Sequence, residues 1–176
     1  MSQQLLKSIH FAAEKHRTQR RKDVAQTPYI NHPIAVAETL RLHKIVDKNI
    51  LIAAILHDTI EDTDTSPEEI ADAFGKRVQK LVLEVTDDKS LPKLKRKEQQ
   101  IEHAPNLSEG ARLIKLADKI CNVRDMVQSP PAGWPLERLQ GYIDWCEAVI
   151  GNMKETHSEL ESLFKDVCRE ARAHFK

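Results

Sequence analysis

Apolar residues recur at every third or fourth position along most of this chain, the spacing of helices that bury one face. Leu5, Leu6, Ile9, Ala12 and Ala13 predict a first helix over about residues 3–16. A basic, polar loop follows and ends at Thr27-Pro28-Tyr29-Ile30. Asn31 can cap a second helix with Pro33 in its first turn, carrying Ile34, Val36, Ala37 and Leu40. Asp47 can cap a third, which runs through Ile50-Leu51-Ile52-Ala53-Ala54-Ile55-Leu56, apolar on every side, into His57-Asp58-Thr59-Ile60-Glu61-Asp62. Ser66-Pro67-Glu68-Glu69 reads as a capped helix start and Gly75 as its stop. Val78, Leu81, Val82 and Val85 mark a further helix to about residue 86, and residues 87–92 a loop. Residues 93–102 form a weakly apolar helix, and Ser108 caps one through Leu113, Leu116, Ala117, Ile120 and Val123. Ser129-Pro130-Pro131-Ala132-Gly133 breaks the chain, and two more helices follow over about 136–153 and 155–174. No alternating strand pattern appears, so the expectation is an all-α fold: one globular domain over residues 1–176, with residues 127–176 as C-terminal helices packed on the core.

Composition narrows the function classes. The formal net charge is zero, so no global field selects nucleic acid or a membrane surface. Charge is uneven locally: residues 15–22 hold five Lys or Arg and no acid, and so do residues 89–97. Either run, taken alone, reads as a solvated surface. Cys121, Cys146 and Cys168 are odd in number and widely spaced, which suits a reduced protein without a disulfide framework. Met1 begins a polar stretch with no apolar leader core, and the longest apolar run ends at Leu56, far short of a membrane span. A soluble, cytoplasmic protein is expected.

The chemistry concentrates at His57 and the acids after it. His57 and Asp58 can ligate one metal ion from the end of a helix. Glu61 and Asp62 follow them at the four-residue spacing that shares a helix face. Charged residues seldom follow a fully buried run unless they are paired or metal-bound. His32, at a helix start, and Asp118, against the apolar face of Leu113-Ile114-Leu116-Ala117, can complete a set of two His and two Asp. In isolation the first reads as a capping or surface residue and the second as a salt bridge to a neighbouring Lys. Such a set suits Mn, Fe or Zn with open positions for water. Glu61 and Asp62 can then activate or orient that water; without a metal they read as a solvated helix end continuing to Asp64. Arg20-Arg21-Lys22 can fork onto phosphate oxygens, and Lys93, Lys95, Arg96 and Lys97 offer a second phosphate patch. Asn122 shares a helix face with Asp118. Tyr142 can stack on a base or sugar, or fill the core.

The order His32, His57-Asp58, Asp118 resembles the H…HD…D signature of the HD-domain phosphohydrolases. The flanking text sharpens the likeness: Arg21-Lys22, Tyr29-Ile30-Asn31-His32-Pro33, His57-Asp58-Thr59-Ile60-Glu61-Asp62-Thr63, Glu84-Val85-Thr86-Asp87-Asp88, and Leu116-Ala117-Asp118-Lys119 with Asn122 and Arg124-Asp125. It is similar to the hydrolase domain of the RelA/SpoT homologues, and within them to the small stand-alone alarmone hydrolases, over about residues 12–145. The resemblance implies an HD-domain helical fold and metal-dependent removal of the 3′-pyrophosphate from guanosine tetra- and pentaphosphate, usually with Mn²⁺. It implies His32, His57, Asp58 and Asp118 as metal ligands, Glu61 and Asp62 as the catalytic acids, and Arg21, Lys22, Asn122 and Tyr142 at the substrate. It leaves no room for a synthetase, TGS or ACT region. Ile60 stands where the motif commonly has Val, and Cys121 where an aromatic or His is common; Cys121 can alter the pocket wall.

Two other readings compete: another HD-type phosphohydrolase, such as one acting on the 2′-phosphate of NADPH, and a metal-binding nucleotide sensor without turnover. The intact Glu61-Asp62 pair argues against the sensor. All three expect a small-molecule nucleotide partner, no nucleic acid and no membrane.

Overall fold

In the computed structural model, which describes residues 3–176, ten α-helices follow one another: α1 Gln3–Lys15, α2 Asn31–Leu42, α3 Lys48–Leu56, α4 Thr59–Asp62, α5 Pro67–Phe74, α6 Lys76–Val85, α7 Lys93–His103, α8 Glu109–Gln128, α9 Leu136–Asn152 and α10 Ser158–His174. Met1 and Ser2, the first residues of the polar start, lie outside the described residues. Among the described residues there is no strand, only isolated bridges between Arg20 and Pro28 and between Asp23 and Pro131. The all-α expectation holds. Among the described residues no helix is long and apolar enough to cross a membrane.

Two helices organise the rest. α3 buries Ile50 and every residue from Ile52 to Leu56, and packs on α1, α2, α6 and α8. α8 is buried along one stretch from Leu113 to Cys121 and packs on α2, α3, α6, α9 and α10. A fully buried Ile or Leu stabilises by roughly 1.5–3 kcal/mol, so the burial of these two helices outweighs anything their surfaces contribute. Gly110 lets the first turn of α8 approach closely: a Cβ there would lie 2.7 Å from Leu81 Cδ2 and 3.4 Å from Ile50 Cγ1.

Local signals set several boundaries. Asp47 caps α3 by accepting from the Asn49 N–H at 2.8 Å. Ser66 and Glu69 form a reciprocal capping box on α5, with Pro67 at its first position. Gly75 ends α5 at φ +92°, a conformation that costs a side chain dearly. Ser108 caps α8.

Two boundaries differ from the sequence expectation. Asn31 is the first helical residue of α2, not its cap; Ile30 holds the cap position in a helical conformation with no side-chain bond. The preceding turn explains this. Pro28 O accepts the Asn31 N–H at 3.2 Å and Tyr29 O the His32 N–H at 2.9 Å, so the orphan donors are already satisfied. The second difference is at the motif. α3 stops at Leu56, His57 and Asp58 form a turn, and α4 begins anew at Thr59. The Thr59 hydroxyl donates to Leu56 O at 2.6 Å, supplying that helix end with a side-chain donor.

Candidate active site

His32 rises from the first turn of α2, His57 and Asp58 from the α3–α4 turn, and Asp118 from the middle of α8. One ligand atom each of His32, His57 and Asp118 lies within 4.8 Å of the others, and all three residues are buried. His32 Nε2 is 3.1 Å from Asp118 Oδ1, and His57 Nε2 is 3.9 Å from the same oxygen. Asp58 borders this group: its Oδ2 lies 2.8 Å from His57 Nε2 and 4.0 Å from His32 Nε2, and accepts the Tyr29 hydroxyl at 2.6 Å. His57 Nδ1 donates to Ala54 O at 2.8 Å, which orients the ring and turns Nε2 inward. That Nε2 is buried without a hydrogen-bond partner. Two inward imidazoles, a buried carboxylate and an orphaned nitrogen form a donor set that fits a divalent cation.

Electrostatics point the same way. Burial opposes a charge on His57, but Asp58 and then Asp118 outweigh it and push its pKa up to about 9. Burial would raise the Asp118 carboxyl; the Lys119 ammonium, 3.1 Å away, and His32 hold it well below the ordinary range. Asn122 Nδ2 donates to Asp118 Oδ1 at 2.6 Å. A cation replaces protons in exactly such a cluster of concentrated charge.

Two cavities meet at this floor. The smaller, about 120 Å³, is lined by His57, Asp58, Glu61, Asp87, Lys115, Asp118 and Lys119 among others. Glu61 Oε2 accepts the Asp87 N–H at 3.0 Å, and Arg96 stands 3.5 Å from Oε1. Burial raises the Glu61 pKa, and the Asp87 N–H only partly offsets it. The larger cleft, about 440 Å³, is lined by Arg21, Lys22, Asp62, Asn122, Trp134 and Tyr142 among others. Tyr29, His32 and Asn122 line both and form the boundary. Arg21 donates to Asn122 Oδ1 at 3.1 Å and pairs with Asp125 at 2.8 Å.

An HD-domain family model matches residues 8–139. The chain belongs to the HD-domain family. The HD resemblance read from the H…HD…D order is borne out by its relatives as well. A mouse protein named guanosine-3′,5′-bis(diphosphate) 3′-pyrophosphohydrolase MESH1 is 52% identical over 168 residues, covering 95% of this chain and 94% of the relative. Its namesake from Drosophila melanogaster is 46% identical over 170 residues, covering 96% and 95%. The solved structure of a metazoan ortholog of SpoT, described as hydrolysing ppGpp and playing a role in starvation responses, superposes with a TM-score of 0.93 at 46% identity, covering 97% of this chain and 96% of that one.

Within this HD pocket the residues singled out from sequence fall on both sides of one boundary. His57, Asp58, Asp118 and Glu61 line the smaller cavity; Arg21, Lys22, Tyr142 and Asp62 line the larger; His32 and Asn122 line both. The helical spacing expected of His57 with Glu61 and of Asp58 with Asp62 is interrupted. The chain turns at His57-Asp58, and Glu61 and Asp62 open into different cavities. Of the second basic run, Lys95 pairs with Glu98 at 2.8 Å, Arg96 turns to Glu61 and Lys97 lies 4.6 Å over the Trp145 ring, while Lys93 stands near Lys22 and Arg138. Cys121 lines neither cavity; its Sγ lies 3.4 Å from Thr39 Oγ1 in the core, so it leaves the pocket wall unaltered. Sequence reasoning missed Tyr29, Lys115, Lys119, Asp87 and Trp134. Lysines at 115 and 119 on the apolar face of α8, flanking Asp118, were the available signal.

Proposed function

We propose that this HD protein is a metal-dependent hydrolase of guanosine tetra- and pentaphosphate, cleaving the 3′-pyrophosphate to give GDP or GTP and pyrophosphate, with residues 1–176 acting as one domain. The observation that carries this reading is the juxtaposition of the buried His32–His57–Asp118 group with a cleft walled by Arg21, Lys22 and aromatic rings. Relatives of half-identical sequence, matched over nearly their full length, are named for that reaction.

His32, His57, Asp118 and the adjacent Asp58 would hold the cation, here taken as Mn²⁺, with Zn²⁺ or Fe²⁺ also accepted by such donors. A divalent ion there supplies Lewis acidity toward a phosphoryl oxygen and makes water easier to deprotonate. Glu61 takes the proton from the attacking water; its raised pKa suits a base that must later give the proton back. Asp62, across the boundary, orients that water. The water oxygen adds to the phosphorus carried by the 3′-oxygen, the P–O bond to the 3′-oxygen breaks, and the 3′-oxygen takes up a proton. Arg21 and Lys22 bind phosphate oxygens. Asn122 ties the Arg21 guanidinium to Asp118, which couples substrate grip to the metal floor. Tyr142, 5.9 Å from Trp134 and 5.3 Å from Trp145, presents an aromatic edge for the nucleoside. The three cysteines are free and buried, which fits a reducing cytoplasm.

The test is turnover of ppGpp and NADPH side by side with Mn²⁺, Zn²⁺ or EDTA. Pyrophosphate from ppGpp, abolished by EDTA, is expected. Metal-loaded protein that releases none would sink the reading, and phosphate from NADPH alone would replace it with the 2′-phosphatase.

A further inference from the structure

Asp62 is held, within the larger cleft, by groups to which the proposed reaction gives no role. Gln19 Nε2 donates to Asp62 Oδ2 at 2.9 Å, reaching it from a position 43 residues earlier in the chain. The other end of the same amide, Gln19 Oε1, lies 2.6 Å from His16 Nδ1. His16 is buried at 2% exposure, just past the end of α1, and its Nε2 has no hydrogen-bond partner. The backbone of Gln19 is tied on both sides, its N–H to His16 O at 2.9 Å and its carbonyl to the Tyr29 N–H at 3.2 Å.

We propose that Gln19 is a positioning residue for the hydrolytic reaction, aiming the Asp62 carboxylate, and that His16 fixes the direction in which the Gln19 amide donates. The inference rests on the reading of Asp62 as one of the two working acids.

The chemistry of the donors leaves one consistent arrangement. A carboxylate only accepts, so the group facing Asp62 must be the Gln19 NH₂. The amide oxygen then faces His16, and Nδ1 must carry the proton. His16 is therefore the Nδ1–H tautomer, and its Nε2 is a bare lone pair. That explains why the buried Nε2 has no partner: as an acceptor it leaves no stranded proton, whereas a charged imidazole would. Burial, the largest influence on His16, disfavours its charged form in the same sense. A free glutamine amide flips at little cost; with its oxygen held by His16 this one cannot turn its carbonyl toward Asp62. The other Asp62 oxygen meets the Lys89 ammonium, but Lys89 is about half exposed, and salt and water weaken that hold. His16 also lies against the Tyr29 ring at 4.9 Å, and the Tyr29 hydroxyl donates to Asp58, so one packed unit contacts both carboxylates. Supporting partners of this kind change activity by about 10- to 100-fold when removed.

The experiment uses the full chain loaded with Mn²⁺ and ppGpp as substrate. Gln19→Ala should lower kcat about 10- to 100-fold while KM and bound metal stay as in the parent. In an Asp62→Asn background Gln19→Ala should cost nothing more, because the carboxylate to be aimed is already gone. His16→Asn, whose Nδ2 can donate where the imidazole Nδ1 does, should keep turnover within a few-fold of the parent; His16→Leu should fall to the level of Gln19→Ala. If His16→Leu does not fold, Gln19→Ala and the double variant decide. Nitrogen-15 NMR of the parent, independent of turnover, should show the His16 proton on Nδ1. A rise in KM alone for Gln19→Ala, full additivity with Asp62→Asn, or a His16 proton on Nε2 would each overturn the proposal. An unimpaired Gln19→Ala beside an impaired Asp62→Asn overturns this inference alone. Full turnover by Asp62→Asn removes the role of that acid first, and the inference with it.

Discussion

At the floor of the cleft, His32 stands on α2, His57 in the turn that ends α3, and Asp118 on α8, and the buried faces of these helices belong to the core. At its outer side α7 carries Lys93, Arg96 and Lys97 on a helix with no buried residue. The floor groups are fixed by packing they cannot leave. α7 is fixed by side-chain contacts instead: Trp145 Nε1 donates to Lys97 O at 3.1 Å, Gln100 donates to both Asp87 oxygens at 2.8 and 2.7 Å, and Arg96 reaches Glu61. Elements with few buried apolar contacts occupy the low end of local stability. The contrast teaches where precision resides: in the floor, where charge development must be met by groups already in place, and less in the outer helix.

The largest expected effect tests that division directly. Asp118→Ala strips the buried Lys119 and His32 of their anion and should cost about 3–5 kcal/mol of unfolding free energy, together with the bound metal, as read by denaturant melts and metal analysis. A loss no larger than that of an exposed α7 substitution would erase the distinction. Next, Glu61→Gln should lower kcat about 10²- to 10⁴-fold with metal retained; loss of metal instead would move Glu61 into the ligand set. Third, removal by EDTA of metal held free at about 100 times its dissociation constant should cost about 3 kcal/mol, or roughly 6–12 °C in Tm. The pH dependence has a definite sign. Without metal, His57 keeps its proton up to about pH 9, because Asp58 and Asp118 outweigh its burial. A cation must displace that proton, so apparent metal affinity should rise with pH toward 9 and fall by up to about tenfold per unit below it, measurable by competition with a chromogenic chelator. The smallest effect belongs to the outer side. Lys93 is exposed, and its pKa is lowered by partial burial and then by Arg138 and Lys22. Lys93→Ala should raise KM only a few-fold and leave kcat alone, and the change should fade in 0.5 M salt.

What could be read from sequence follows the same division. The caps of α3, α5 and α8 were legible because each is written within four residues. The buried cluster of His32, His57 and Asp118 was legible because polar side chains on otherwise apolar helices need a reason. The turn at His57-Asp58 was not legible, since the apolar pattern and the acids suit a continuous helix and the turn shows only in the three-dimensional hydrogen bonding. Nor was the fate of Arg96, whose partner Glu61 lies 35 residues away in the chain. Tyr29 was read as part of a motif and not as a hydroxyl on Asp58, because nothing local aims it there.

Gly110 has a consequence that reaches beyond packing. It lies eight residues before Asp118 on one continuous helix, about 12 Å along the axis. α8 therefore carries on one rod both the close approach to Leu81 and Ile50 and the Asp118 carboxylate. A single added methyl must either turn the Leu81 side chain aside or tilt the helix, and any tilt is carried along the rod to Asp118. Replacing this glycine would therefore reach the candidate site from a distance, with His32, His57 and Asp118 all intact.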